Sequence, residues 1–84
     1  MAQLRNQQLI QQIAVLLRQL REAKGVTQED VYENTGIHIG RIETGQLNLT
    51  ISTLEKLCVY FGITLAVFFE RLQAISVSST KPTD

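Results

Sequence analysis

The sequence predicts an all-α domain built from five short helices, and three observations carry this prediction. Apolar residues recur three and four positions apart in several separate segments, which is the period of a helix with one buried face. Helix-capping residues or turns that contain glycine divide these segments. No alternating strand pattern is longer than the three residues 75–77. A chain of 84 residues with 44% hydrophobic content suffices for one small core.

The first two helices are delimited by signals at their ends. Helix 1 has one apolar stripe, and Gly25 directly after Lys24 indicates where it stops. The stripe consists of Leu9, Ile13, Leu16, Leu17 and Leu20. Thr27 is the predicted N-cap of helix 2, with the acidic Asp30 three positions later. The turn chemistry of residues 34–36 then keeps helix 2 short.

Three further helices follow this turn. Residues 37–44 carry helix 3, in which Ile39 and Ile42 form one inward edge, and Thr50 and Thr64 are the predicted N-caps of helices 4 and 5. The apolar faces of these two helices consist of Ile51, Leu54, Leu57, Cys58 and Phe61, and of Leu65, Phe68, Phe69 and Leu72. We expect one domain over residues 1–75 and a flexible tail over residues 76–84.

Composition and charge exclude several classes of protein. The net charge is zero, although residues 1–24 carry +3 and residues 25–47 carry −3, so the total does not itself indicate a nucleic-acid partner. No apolar run reaches the roughly 18–20 residues of a membrane span, and the N-terminus lacks a secretory pattern, so we expect a cytoplasmic protein. The sequence has one cysteine, one histidine and no phosphate-binding loop. We therefore expect no enzymatic activity and no metal, cofactor or small-molecule ligand.

Short motifs follow one another in a fixed order along helices 1 to 4. Residues 20–29 contain Leu-Arg-x-x-Lys-Gly-x-Thr-Gln-Glu, residues 41–45 read Arg-Ile-Glu-Thr-Gly, and residues 53–57 read Thr-Leu-Glu-Lys-Leu. Two short helices joined by a turn with glycine and packed on a longer helix form a helix-turn-helix. From about Leu9 to Glu70 the sequence therefore resembles the XRE family of lambda-repressor-like DNA-binding domains, which implies a five-helix bundle.

The resemblance implies two kinds of contact with double-stranded DNA and one structural ion pair. The implied phosphate contacts are Gln28, Gln46 and Asn48. The residues placed near base edges in the major groove are Thr35, His38 and Arg41. Arg41 is the foremost candidate for direct readout because a guanidinium matches the O6 and N7 atoms of guanine. Arg21 and Glu43 lie where the family joins helix 1 to helix 3 by an ion pair.

Three features depart from the family pattern. Gln28 and Glu43 are 15 positions apart, about three fewer than is usual, which predicts a shortened helix 2 or turn. Tyr32 occupies a place in helix 2 where the family has a small residue. Gly40 lies inside helix 3, where glycine costs roughly 1 kcal/mol relative to alanine.

Helix 5 carries more apolar residues than one side of so short a helix can bury. Such a surplus predicts a partner surface, and a symmetric homodimer is the commonest solution. The residues predicted at this interface are Val67, Phe69, Leu72, Ile75 and Val77. We therefore predict a dimeric transcriptional regulator that inserts a recognition helix into the major groove. The alternative is a protein-interaction module of the antitoxin or accessory-factor type with weak or no DNA binding, which the neutral charge favours slightly.

Overall fold

Five α-helices make up the part of the chain that the structure, a computed structural model, describes: residues 6–79, with side chains as far as Ile75. The helices are α1 (Gln7–Lys24), α2 (Gln28–Thr35), α3 (Ile39–Glu43), α4 (Ile51–Phe61) and α5 (Leu65–Ser79). No strand occurs within residues 6–79. The predicted all-α, five-helix class is therefore confirmed.

The ends of the helices follow the capping signals in the sequence. The Thr27 hydroxyl accepts a hydrogen bond from the Asp30 amide, and the Asp30 carboxylate accepts one from the Thr27 amide, which completes a capping box. At the start of α4 the Thr50 hydroxyl accepts a hydrogen bond from the Thr53 backbone amide. α5 continues to Ser79, past the predicted domain boundary at residue 75. The flexible tail stays a prediction, since residues 80–84 lie outside the described part.

α3 is the shortest element, with only five residues. The sequence pattern placed helix 3 within residues 37–44, whereas the helix begins at Ile39 and ends at Glu43. His38 stands at the N-cap position without a capping hydrogen bond from its side chain. α2 is also short, with eight residues. The 15 positions from Gln28 to Glu43 therefore contain two short helices and the turn between them.

One apolar core unites all five helices, and it is centred on Leu17, Val31, Ile39, Leu57 and Phe68, all of which are completely or almost completely buried. Three residues of the predicted apolar faces do not belong to it, and one of them is Phe69, which the sequence also assigned to a partner surface. Leu9 is 39% exposed and Ile51 is 62% exposed, because each lies at the open N-terminal end of its helix. Their expected inward position was therefore wrong.

α4 and α5 complete the core from the C-terminal side. Cys58 is buried on α4, as its place in the stripe predicted, and burial raises the pKa of its thiol. Within the described residues, no single helix is long and apolar enough to cross a membrane. The pair formed by α4 and residues 65–75 has sufficient length and apolar character, but it is bent by 96° between the two helices.

Candidate nucleic-acid interface

An ion pair between Arg21 and Glu43 connects α1 to the end of α3. Arg21 donates from Nε to Glu43 Oε2 at 2.6 Å and from Nη2 to Oε1 at 3.1 Å, a bidentate arrangement. The two side chains are only 14% and 6% exposed. The hydrogen bond to Glu43 raises the pKa of Arg21, so the guanidinium keeps its charge in this partly buried place. This contact fixes α3 on α1.

Gln28 extends this ion pair to the first turn of α2. Its side-chain Nε2 donates to Glu43 Oε1 at 2.9 Å, the oxygen that also accepts from Arg21. An amide nitrogen carries two hydrogens, so one donor of Gln28 remains for a further partner. The three side chains Arg21, Glu43 and Gln28, which we call the clamp, therefore hold the start of α2 and the end of α3 in one arrangement.

Thr35 has a different place from the one that the resemblance implies. Its side chain is buried, and its hydroxyl donates to the Val31 carbonyl at 2.7 Å and accepts from the Ile37 amide at 3.0 Å. Both hydrogen bonds stabilise the end of α2 and the turn after it. The Thr35 hydroxyl is thus used within the fold, and we leave this residue out of the interface proposed below.

His38 and Tyr32 form a stacked aromatic pair between α2 and α3. Their ring centroids are 4.3 Å apart with an interplanar angle of 21°, and both residues are exposed. The pair lines an open cleft of about 370 Å³ together with Gln28, Gly40 and Arg41. Sequence reasoning did not assign Tyr32 to the site. The signal that was available is the bulk of Tyr32 at a position where the family has a small residue.

Arg41 is the cation of α1 to α3 that remains available for a partner. Arg18 pairs with Glu22, and the Lys24 ammonium lies 5.2 Å from the centre of the Tyr60 ring. Arg21 belongs to the clamp. Arg41 is exposed, and within residues 6–79 it forms no ion pair.

The loop after α3 provides the opposite side of the surface. Asn48 and Gln46 are both exposed there, and the backbone N–H of Gln46 donates to the Thr44 hydroxyl at 3.2 Å. Asn48 lines a second open cleft, also of about 370 Å³, and His38 and Arg41 line it as well. His38 and Arg41 consequently stand between Gln28 on one side and Asn48 on the other.

The residues predicted at a dimer interface do not form one exposed surface. Leu72 is buried in the core, which corrects its assignment to the interface, while Phe69 is 40% exposed. Val67 and Ile75 are half-buried, and the side chain of Val77 lies outside the described part. Adjacent helix positions point about 100° apart, so burial of Phe68 turns Phe69 towards the outside. Phe69 lies in an apolar groove, of about 220 Å³, with Leu9 and Ile51.

Acidic and sulfur side chains do not suggest a metal centre. Among the described residues, no group of three or more His, Cys, Asp or Glu side chains is placed to hold a metal ion. The exposed polar side chains of α2, α3 and the loop after α3 include those of Gln28, Arg41, Gln46 and Asn48, with His38 just before α3, and also the acidic Glu29 and Glu33.

Comparison with known proteins gives the family of the chain. Residues 17–68 match the model of the helix-turn-helix family. The fold is similar to that of the restriction-modification controller protein C.Esp1396I, solved as a tetramer in complex with its natural 35-base-pair operator, with a TM-score of 0.73 and 31% sequence identity over 80% of this chain and 92% of that chain. No curated protein matches the sequence. The chain therefore belongs to the helix-turn-helix family of XRE, lambda-repressor-like DNA-binding regulators.

Proposed function

We propose that the protein is a non-enzymatic transcriptional regulator that binds double-stranded DNA in the cytoplasm as a homodimer. The observation that carries this proposal is the position of His38 and Arg41 between Gln28 and Asn48. Readers of the major groove have this arrangement, with base-contacting side chains in the middle and phosphate contacts on both sides. The operator in the structure of C.Esp1396I favours this function over a purely protein-binding module.

The short α3 limits how much sequence one subunit reads. Five helical residues span about 7.5 Å, so only one end of α3 enters a major groove. Arg41 is the residue we assign to reading guanine. His38, which is stacked on Tyr32, is the second side chain assigned to the bases, and it presents the edge of its imidazole ring. Two side chains specify only a few base pairs, and a second subunit one DNA turn away supplies the remaining specificity.

Phosphate contacts fix the orientation of α3 on the duplex. The second N–H of Gln28 and the N-terminus of α2 face one strand, and the partial positive charge of the helix end favours an anion. Asn48 and Gln46 contact the other strand from the loop after α3. The clamp matters here because it sets the distance between the two groups of phosphate contacts.

The apolar groove is the surface we assign to the second subunit. Three large, partly exposed apolar side chains line it, and each comes from a different helix: Leu9, Ile51 and Phe69. Clustered exposed apolar side chains mark partner sites more often than scattered ones do. C.Esp1396I was solved as a tetramer on its operator, and self-association of that protein supports self-association of this one.

Selection of bound sequences from a random duplex library tests the DNA-binding function. We expect Arg41→Ala to flatten the preference at one base position, at a cost of about 1–3 kcal/mol there. Gln28→Ala and Asn48→Ala are expected to weaken binding to all duplexes alike. Lys56→Ala is the control, because Lys56 is an exposed cation that lines neither cleft. If wild type shows no selected sequence and no salt-dependent binding, the chain is a protein-interaction module instead.

A further inference from the structure

Gly40 is the second residue of α3, at a position where the backbone does not require glycine. Positive φ angles occur at Gly25, Gly36, Gly45 and Gly62, and Gly40 is not among them. Within an ordinary helix, alanine is more favourable than glycine because it restricts the unfolded chain and covers the backbone. The reason for glycine at this position must therefore be sought in what lies against it.

The side chain of Gln28 occupies the space that a side chain at position 40 would fill. A Cβ atom on Gly40 would stand 2.9 Å from Gln28 Oε1, 3.3 Å from Cδ and 3.6 Å from Nε2. The first of these distances is shorter than a carbon–oxygen van der Waals contact allows. A methyl group there would displace the Gln28 amide, which is the far end of a flexible side chain.

The Gln28 side-chain amide, which lies against Gly40, is held in place on its other side by Glu43. Gln28 Nε2 donates to Glu43 Oε1 at 2.9 Å, and the Glu43 carboxylate is itself fixed by Arg21. Gln28 is therefore confined between the backbone of α3 and a carboxylate that is almost fully buried. One N–H of the amide is used, and the direction of the other is fixed by this arrangement.

We propose that Gly40 is a positioning residue: the missing side chain opens the place in which the clamp holds the Gln28 amide ready for a DNA phosphate. This inference rests on the proposed function. A donor that is already fixed in its binding orientation loses less conformational freedom when it binds. Gly40 thus acts on DNA through Gln28 and contacts no base itself.

Gly40→Ala separates this role from a structural one. We expect the variant to melt at the wild-type temperature or above it, because alanine favours the helix and only a flexible side chain must move. DNA affinity is expected to fall about three- to tenfold for all duplexes alike, the value of one lost phosphate hydrogen bond. Wild-type affinity in Gly40→Ala would overturn the proposal, and so would lower affinity that merely follows a lower melting temperature.

A double-mutant cycle with Gln28→Ala distinguishes action through Gln28 from a direct collision with DNA. In the Gln28→Ala background no amide remains to be displaced, so Gly40→Ala is expected to cause no further loss of affinity. If Gly40→Ala weakens binding by the same factor in both backgrounds, the methyl group collides with DNA itself. That result would overturn the proposal.

An NMR measurement without DNA separates this inference from the proposed function. In the wild type we expect contacts between the Gln28 side-chain amide and the Gly40 α-protons, together with slow exchange of the amide hydrogen that is bonded to Glu43. Gly40→Ala should shift the amide resonances and speed this exchange. If they do not change, the positioning role is refuted even where DNA binds. If they change and the wild type binds no duplex, the proposed function fails and the positioning of Gln28 stands.

Discussion

The clamp and the apolar groove differ in how completely the folded chain satisfies them. In the clamp, Glu43 accepts hydrogen bonds from Arg21 and from Gln28, and its side chain is nearly buried. In the groove, Ile51 and Phe69 keep 62% and 40% of their surface exposed. The surface proposed to meet DNA is therefore organised before binding, whereas the surface proposed to meet a second subunit is completed only on assembly.

The net charge explains why the surface proposed to meet DNA needs side chains that are fixed before binding. Residues 25–47 carry a net charge of −3, which repels a phosphate backbone. The clamp pairs Glu43 with Arg21 of the basic first segment, while Arg41 stays exposed on the surface proposed to meet DNA. A few fixed donors can then direct binding where total charge does not. The apolar groove needs no comparable network, because apolar association depends on buried area and has little directionality.

The largest effect is expected from breaking the clamp. Glu43→Ala leaves the Arg21 guanidinium largely buried without its carboxylate and should lower the free energy of unfolding by about 3 kcal/mol. Urea unfolding followed by circular dichroism measures this change. Arg18→Ala is the matched control, since the Arg18–Glu22 pair is 63% and 57% exposed and should contribute less than about 0.5 kcal/mol. Equal losses in the two variants would contradict the structural role of the clamp.

The next largest effect concerns the apolar groove. Phe69→Glu places a charge in the proposed contact between subunits and should weaken dimerisation at least about tenfold. Sedimentation velocity over a range of concentrations measures it. Val15→Glu is the control, because Val15 is similarly exposed but does not line the groove. Truncation after Gln73 is a less specific test, since Ile75 packs against the core.

Two outcomes would contradict the proposal that the apolar groove is the contact between two subunits. One is a wild-type protein that stays monomeric at every accessible concentration and still binds DNA. The other is an equal loss of dimerisation in Phe69→Glu and Val15→Glu. In the first case the duplex itself brings two copies together.

Helix positions could be predicted from the sequence because their signals are local. The ends predicted from Gly25, from Thr27 with Asp30 and from Thr50 are helix ends in the structure as well. The apolar stripes were less reliable at their ends. A period of 3.6 residues identifies the inward face of a helix, but not how far along the helix a neighbour covers it. Covering by other helices is a property of the whole fold.

The residue types of the site and one of its contacts could be predicted, but its other contacts could not. The motifs placed Arg21 opposite Glu43, and the structure contains that pair. The family resemblance implied a place near bases for Thr35, whereas its short side chain forms hydrogen bonds with the backbone of α2 and of the turn after it. The contact between Gly40 and Gln28 joins two helices. The sequence showed only the cost of glycine in a helix, without the side chain that requires it.

A smaller effect should come from the stack that presents His38. Tyr32→Ala removes the ring on which His38 rests, and stacked aromatic pairs contribute about 0.5–1.5 kcal/mol beyond the area they bury. We expect DNA affinity to fall about threefold or more, with a weaker preference at the base pair next to the one read by Arg41. Glu33→Ala is the control, because Glu33 is exposed on the same helix and lines neither cleft. An unchanged sequence preference would show that His38 needs no support from Tyr32.

The smallest effect concerns the capping box, which lies next to the clamp but depends on pH. The hydrogen bond from the Thr27 amide lowers the pKa of Asp30 below its usual value. An acid whose pKa is lower in the folded state stabilises the fold above its unfolded pKa, and this contribution is lost as the pH falls through the folded pKa. The melting temperature of Asp30→Asn should therefore lie below that of the wild type at neutral pH, and the gap should narrow below about pH 4. Glu29→Gln removes a carboxylate from the same turn without removing that hydrogen bond and should give a smaller gap at neutral pH. A gap for Asp30→Asn that stays constant from neutral to acidic pH would show that the charge of Asp30 has no part in the cap.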